Sequence, residues 1–324
     1  MHSPIPARDQ PETPPARWWS SRPGVGPIPN LTYHQKMTMP TDIGIIDTMV
    51  GFPKRDRREI YKFLDPHLKD KESKEEFTFP AQYMFKDIPA DVEDNVDPVA
   101  VVLDNLDRFG VERAMVGVRK EREESVRALK DHPDRFIGSV EVDPNQGMDG
   151  VRYLTEMVET YGVRAATTFP AGVQVPINDK RYYPLYAKCV ELDIPIFVCA
   201  GIPGPRVPFD PQRVELIDEV CYFFPELTFV MRHGAEPWTE LAVKLMLKWP
   251  NLYYSTSAFA PKHYNKNIID YANTRGADKI IYAGYFPAGL TYDRIWSDMP
   301  NVAFKDEVWP KFLRENARKV LKLT

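Results

Sequence analysis

Cysteine is scarce in this chain. Three residues of 324, Cys189, Cys199 and Cys221, are odd in number, share no short C-x-x-C spacing, and each falls in an apolar helix or strand context. That pattern excludes a disulfide framework and a structural zinc site, and reads as buried thiols in a reducing, cytoplasmic compartment. Long apolar runs are missing too. None approaches the roughly 18 residues that a membrane span needs, and no apolar core follows the N-terminus, so no secretory signal is expected. A net charge of −4 provides no general attraction for nucleic acid or an anionic membrane. Histidine is thin as well. Of six, only His233, in Phe229-Val230-Met231-Arg232-His233-Gly234, closes an apolar strand-like run. What is abundant is aromatic: six Trp, sixteen Tyr and seventeen Phe can fill a large core.

Residues 1–41 carry prolines, arginines and the pair Trp18-Trp19. They read as an extended or disordered arm, with the aromatic pair favouring docking on a neighbouring subunit. From 42 to 324, strand-like and helix-like runs alternate. The strands are read at Ile43–Asp47, Ala114–Val118, Phe136–Val142, Val163–Phe169, Pro195–Ala200, Leu227–His233, Leu252–Ala258 and Lys279–Ala283. Helical runs follow them, the first opened by Asp97 as cap with Pro98 at its first position. Eight strands, each followed by a helix, predict a (β/α)8 TIM barrel. A doubly wound open sheet would show a Gly-rich phosphate loop after its first strand, and Asp47-Thr48-Met49-Val50-Gly51 is not one. One connection is abnormally long: residues 52–96 are polar and charged, with Phe77, Phe79, Tyr83, Met84 and Phe85 interleaved. A segment of that length leaving a strand end reads as a lid over the mouth.

Strand C-terminal ends carry the chemistry of such a barrel. Here they are Asp47-Thr48-Met49, Glu141-Val142-Asp143-Pro144, Phe169-Pro170, Cys199-Ala200-Gly201, Arg232 to Trp238, Ser255-Thr256-Ser257 and Ala283 to Pro287. With the terminal run Glu315-Asn316-Ala317-Arg318-Lys319-Val320-Leu321, these resemble the amidohydrolase-related family, in the branch of aminocarboxymuconate-semialdehyde decarboxylase and aromatic-acid decarboxylases. The resemblance covers the chain from about Ile43 to its end. It implies a divalent metal, zinc being the family norm, held by Asp-x-His-x-His on strand one, histidines on strands five and six, and an aspartate on strand eight. Position by position, Asp47 and His233 match that pattern. The first two histidines fall on Met49 and Gly51, the strand-five histidine on Cys199, and the strand-eight aspartate on Tyr285. Since Met and Gly offer zinc nothing and two remaining ligands are too few, no metal cofactor is expected.

The candidate catalytic groups are therefore His233, Asp47, Tyr285 and Cys199. A histidine can act as acid or base near neutrality, and a histidine beside a thiol can activate a nucleophile. Glu141, Arg206, Arg232, Glu236, Trp238 and His263, with Lys262, are candidates for substrate binding, an arginine fork being suited to a carboxylate. The leading expectation is hydrolysis or decarboxylation of a small carboxylated or cyclic substrate without a metal, in a homo-oligomer. The competing one is a non-catalytic ligand-binding or structural subunit. A third is an enzyme recruiting metal through Cys199, His233 and a residue from elsewhere.

Overall fold

A computed structural model describes residues 39–53, 57–76, 81–85, 88 and 95–324. The pair Trp18-Trp19 and residues Phe77 and Phe79 lie outside the described residues. Eight parallel strands follow one another around a single sheet in chain order: β1 Ile45–Val50, β2 Val111–Gly117, β3 Phe136–Glu141, β4 Ala165–Thr168, β5 Ile196–Cys199, β6 Phe229–Arg232, β7 Leu252–Ser255 and β8 Ile280–Ile281. Helices alternate with the strands, and the result is the (β/α)8 barrel that the strand count predicts. The first barrel helix, Pro98–Arg108, begins where the sequence places it. The Asp97 side chain accepts a hydrogen bond from Val99 N at 3.0 Å and Pro98 takes the first turn, a cap contributing about 1 kcal/mol.

Successive side chains of a strand point to opposite faces, and the barrel interior follows from that period. Ile46, Met115, Ile137, Ala165, Phe197, Val230, Tyr253 and Ile281, one from each strand, pack together as a buried inner layer. Ala317, Val320 and Leu321 of the terminal helix join this layer and close the N-terminal end. Residues of the opposite parity, such as Val116, Val140, Val198 and Met231, pack outward with helix side chains such as Val102, Leu154 and Ile217.

Strand one differs from its sequence reading. The apolar run breaks at Asp47 and Thr48, yet β1 continues to Val50 because both polar residues are buried and hydrogen-bonded. They close the barrel seam. Thr48 donates through N and Oγ1 to Tyr282 O (3.2 and 2.8 Å), Tyr285 N donates to Met49 O at 3.0 Å, and Gly51 N to Phe286 O at 2.7 Å. The helical run that follows β7 divides into Lys266–Tyr271 and a wider π-helical turn, Ala272–Gly276.

Candidate active site

Stepping two or four residues from the inner layer toward the C-terminal strand ends keeps the inward parity. The steps land on Arg119 from Met115, Glu141 from Ile137, Phe169 from Ala165, Cys199 from Phe197, and Arg232 from Val230. All five line one cavity of about 940 Å3 at the C-terminal mouth. Phe52, Phe85, Phe259 and Phe286 contribute apolar wall, and the 52–96 segment adds Ile60, Tyr61, Phe63, Ala81 and Met84.

His233 has the outward parity, but the chain turns there. Its φ of 64° lies in the left-handed region, as does the 66° of Tyr285, conformations that cost a non-glycine residue roughly 1 kcal/mol or more. The two residues line the cavity and meet edge to face, ring centroids 5.4 Å apart. Ser257 fixes the imidazole: its Oγ accepts from His233 N at 3.1 Å and lies 3.1 Å from Nδ1. A hydroxyl can donate to Nδ1 or accept from it, so the second ring nitrogen can present either a proton or a lone pair. Burial, and then the charge of Arg232, hold the His233 pKa down to about 3, so the ring is neutral at physiological pH. Tyr285 stacks on Phe85 at 6.1 Å, and burial raises its phenol pKa.

Cys199 and Arg232 meet on adjacent strands. Arg232 is 8% exposed, and its Nη2 donates to Cys199 Sγ at 3.3 Å while standing 3.8 Å from Glu141 Oε2. Burial raises the thiol pKa although the guanidinium opposes that shift, so Cys199 is a neutral thiol and not a nucleophile at rest. Burial also opposes the guanidinium charge, but the sulfur and Glu141 offset it and Arg232 stays protonated. Glu141 Oε2 accepts from Thr167 Oγ1 at 2.6 Å, and its side chain is 42% exposed. A glycine is required beside this pair: at Gly201 (φ 96°) a Cβ would meet the Glu236 backbone at 2.6 Å.

Of the remaining candidates, Glu236 and His263 line the cavity, as does Lys262. Asp47, Arg206 and Trp238 are not part of the cavity wall. Asp47 is fully buried behind it, accepting from Met49 N (2.9 Å), Gly284 N (2.8 Å) and Tyr292 OH (2.9 Å). Burial outweighs those donors and raises its pKa to about 6. Arg206 pairs with Asp70 Oδ2 at 2.9 Å and Glu72 Oε2 at 2.8 Å and lies over the Tyr83 ring at 4.9 Å. It ties the 52–96 segment down. Trp238 packs on Phe209 at 5.7 Å, with Arg213 over its ring.

Sequence reasoning missed Arg119, Ser257 as the partner of His233, and Arg294, which also lines the cavity. The signal for Arg119 was present: it follows the apolar run Ala114–Val118 at the inward parity of Met115. Arg294, on the helix Tyr292–Asp298, has no such strand-end signature. Among the described residues the wall carries four fixed cations, Arg119, Arg232, Lys262 and Arg294, against two carboxylates, Glu141 and Glu236. Such a lining concentrates anions.

The donor set does not fit the family's divalent metal. Met49 and Gly51 supply nothing useful to one, and the thiol of Cys199 is taken by a guanidinium, whose positive charge would repel a cation at the same place. Among the described residues no three His, Cys, Asp or Glu side chains are gathered as a metal cage.

Solved structures of the same fold include an uncharacterized TIM-barrel protein from Bordetella bronchiseptica, 22% identical, covering 86% of this chain and 99% of that one at a TM-score of 0.64. They also include 5-carboxyvanillate decarboxylase from Novosphingobium aromaticivorans, solved with bound manganese (15% identical; 89% and 99% covered; TM-score 0.62). A third is 2,6-dihydroxybenzoate decarboxylase from Rhizobium (16% identical; 86% and 99% covered; TM-score 0.59). Comparison with curated proteins returns no match. A family model described as Amidohydrolase matches residues 63–323, which is most of the barrel, and the chain belongs to the amidohydrolase family.

Proposed function

We propose that the protein is an enzyme acting on a small aromatic or cyclic carboxylate, by decarboxylation or by a related hydrolytic step, without the family's metal. The observation that carries this reading is the His233–Ser257 pair facing an open, cation-lined cavity. The fold neighbours named as decarboxylases support the reaction class. In a decarboxylation, His233 would deliver a proton to the ring carbon that bears the carboxylate. The carbon–carboxyl bond then breaks, its electron pair stays with the ring, and carbon dioxide leaves. At rest the imidazole pKa is too low for efficient proton transfer at neutral pH. An anionic substrate beside the ring favours the imidazolium and moves it toward the useful range. The aromatic walls exclude water, and the neutral Tyr285 phenol is positioned to hold an oxygen of the substrate.

The test is carbon dioxide release from a panel of hydroxylated benzoates. Removing a general acid–base typically costs about 10²–10⁴-fold, so His233→Asn is expected to lower kcat by that factor. Equal turnover in wild type and His233→Asn contradicts the role of His233, and no turnover with any carboxylate favours the non-catalytic subunit. For the 1–41 arm we propose a part in self-association, and for the chain a reducing compartment, which the free, buried thiols suit. Light scattering that shows a monomer at micromolar concentration contradicts the first. Among the described residues, no helix is long and apolar enough to cross a membrane.

A further inference from the structure

We propose that the Arg232 guanidinium is the anion-binding centre of the cavity floor, gripping one carboxylate of a flat, unsaturated substrate. The inference rests on the reading of this cavity as a carboxylate site and names the group that holds the carboxylate.

Arg232 belongs inside the barrel by strand parity, two residues beyond Val230 of the inner layer, and is only 8% exposed where it lines the cavity. Its five N–H donors are poorly used. Among the described residues Nη2 has a sulfur, a weak acceptor, at 3.3 Å, and the Glu141 carboxylate stands at 3.8 Å, beyond hydrogen-bond distance. Nε is buried and, among the described residues, has no hydrogen-bond partner. A buried donor left unpaired is costly and calls for an explanation. The neighbours do not supply one: Glu141 spends its nearer oxygen on Thr167, and Cys199 is a neutral thiol. A carboxylate does supply one, because its two oxygens match Nε and an Nη of one guanidinium edge. The wall above is aromatic, with Phe169, Phe259 and Tyr285 among its residues, so the body attached to that carboxylate is planar and apolar. Glu141 is then the competitor that a bound carboxylate displaces.

The test uses benzoate as probe and benzamide as its uncharged counterpart, titrated calorimetrically into the full chain in the presence of EDTA. The expected result is benzoate binding about ten-fold or more tighter than benzamide, a difference abolished in Arg232→Gln. Arg232→Lys keeps the charge but loses the fork, and is expected to retain part of the preference. Glu141→Gln removes the competing carboxylate and is expected to bind benzoate more tightly than wild type. Thermal melts of each variant separate loss of binding from loss of fold. Benzoate binding that is unchanged in Arg232→Gln, or that appears only when manganese is added, overturns the proposal. Binding through Arg232 with full turnover in His233→Asn would leave this inference standing and remove the catalytic reading. An unchanged KM for carboxylates in Arg232→Gln would do the reverse.

Discussion

His233 and Asp47 have opposite linkages to pH, and both follow from burial. The folded-state pKa of His233 is held near 3 against an ordinary 6.5. The unfolded chain therefore takes up this proton first on acidification, and the stability present above about pH 6.5 is lost between there and pH 3. Asp47 is raised to about 6 from 3.8, so its contribution is complete below about pH 4 and is lost as pH rises through 6. Between pH 7 and 5 the two oppose one another. Melting temperatures at those two values are expected to fall less on acidification in His233→Gln than in wild type, and more in Asp47→Asn. Parallel shifts in all three proteins would show that neither side chain carries its assigned linkage. The strand ends made Cys199, Arg232, His233 and Tyr285 legible as neighbours in the sequence. Which of them are inward was harder to read. His233 reaches the cavity only through a left-handed backbone turn that no residue pattern announces. Asp47, conspicuous in the sequence, is absorbed by three donors at the seam.

Two elements divide stability from access. At the seam, β8 has only two residues in strand geometry, and β1 is held to the segment after β8 by backbone hydrogen bonds together with the side chains of Asp47 and Thr48. Hydrogen bonds to a charged group contribute about 1.5–3 kcal/mol. Tyr292→Phe, which removes a donor to Asp47, is expected to lower unfolding free energy by that amount in denaturant titration, without altering KM. Equal stability of the two proteins would show that Tyr292 OH does not support the seam. The 52–96 segment behaves differently, because the Arg206 pairs with Asp70 and Glu72 are largely exposed and such pairs contribute at most about 1 kcal/mol. Arg206→Ala is therefore expected to leave global stability nearly unchanged while hydrogen exchange accelerates in residues 57–85. Exchange as slow as in wild type would place the anchor elsewhere. The sequence marks this segment by length and composition. The pairing of Arg206 joins residues more than 130 positions apart, which spacing cannot show.

At the scale of the molecule the barrel was the most legible feature, because eight strand periods and their helices repeat along the whole chain and each local pattern agrees with the next. The boundaries that shifted are those where polar residues are buried, as in β1. The charge arrangement at the mouth was legible only in part. Arg119 could be found from strand alternation, whereas Arg294 approaches the cavity from a helix with no strand period to place it. Taken together, the inner layer, the seam and the terminal helix support a rigid floor. On that floor a guanidinium, a thiol and a neutral imidazole line one cavity. The Arg232 guanidinium is proposed to serve this site in place of a metal. Elemental analysis of protein purified without added metal or chelator tests it most directly. Zinc, manganese and iron are expected far below one equivalent per chain in protein that still binds carboxylates. Near-stoichiometric metal, lost together with carboxylate binding on dialysis against EDTA, would contradict it.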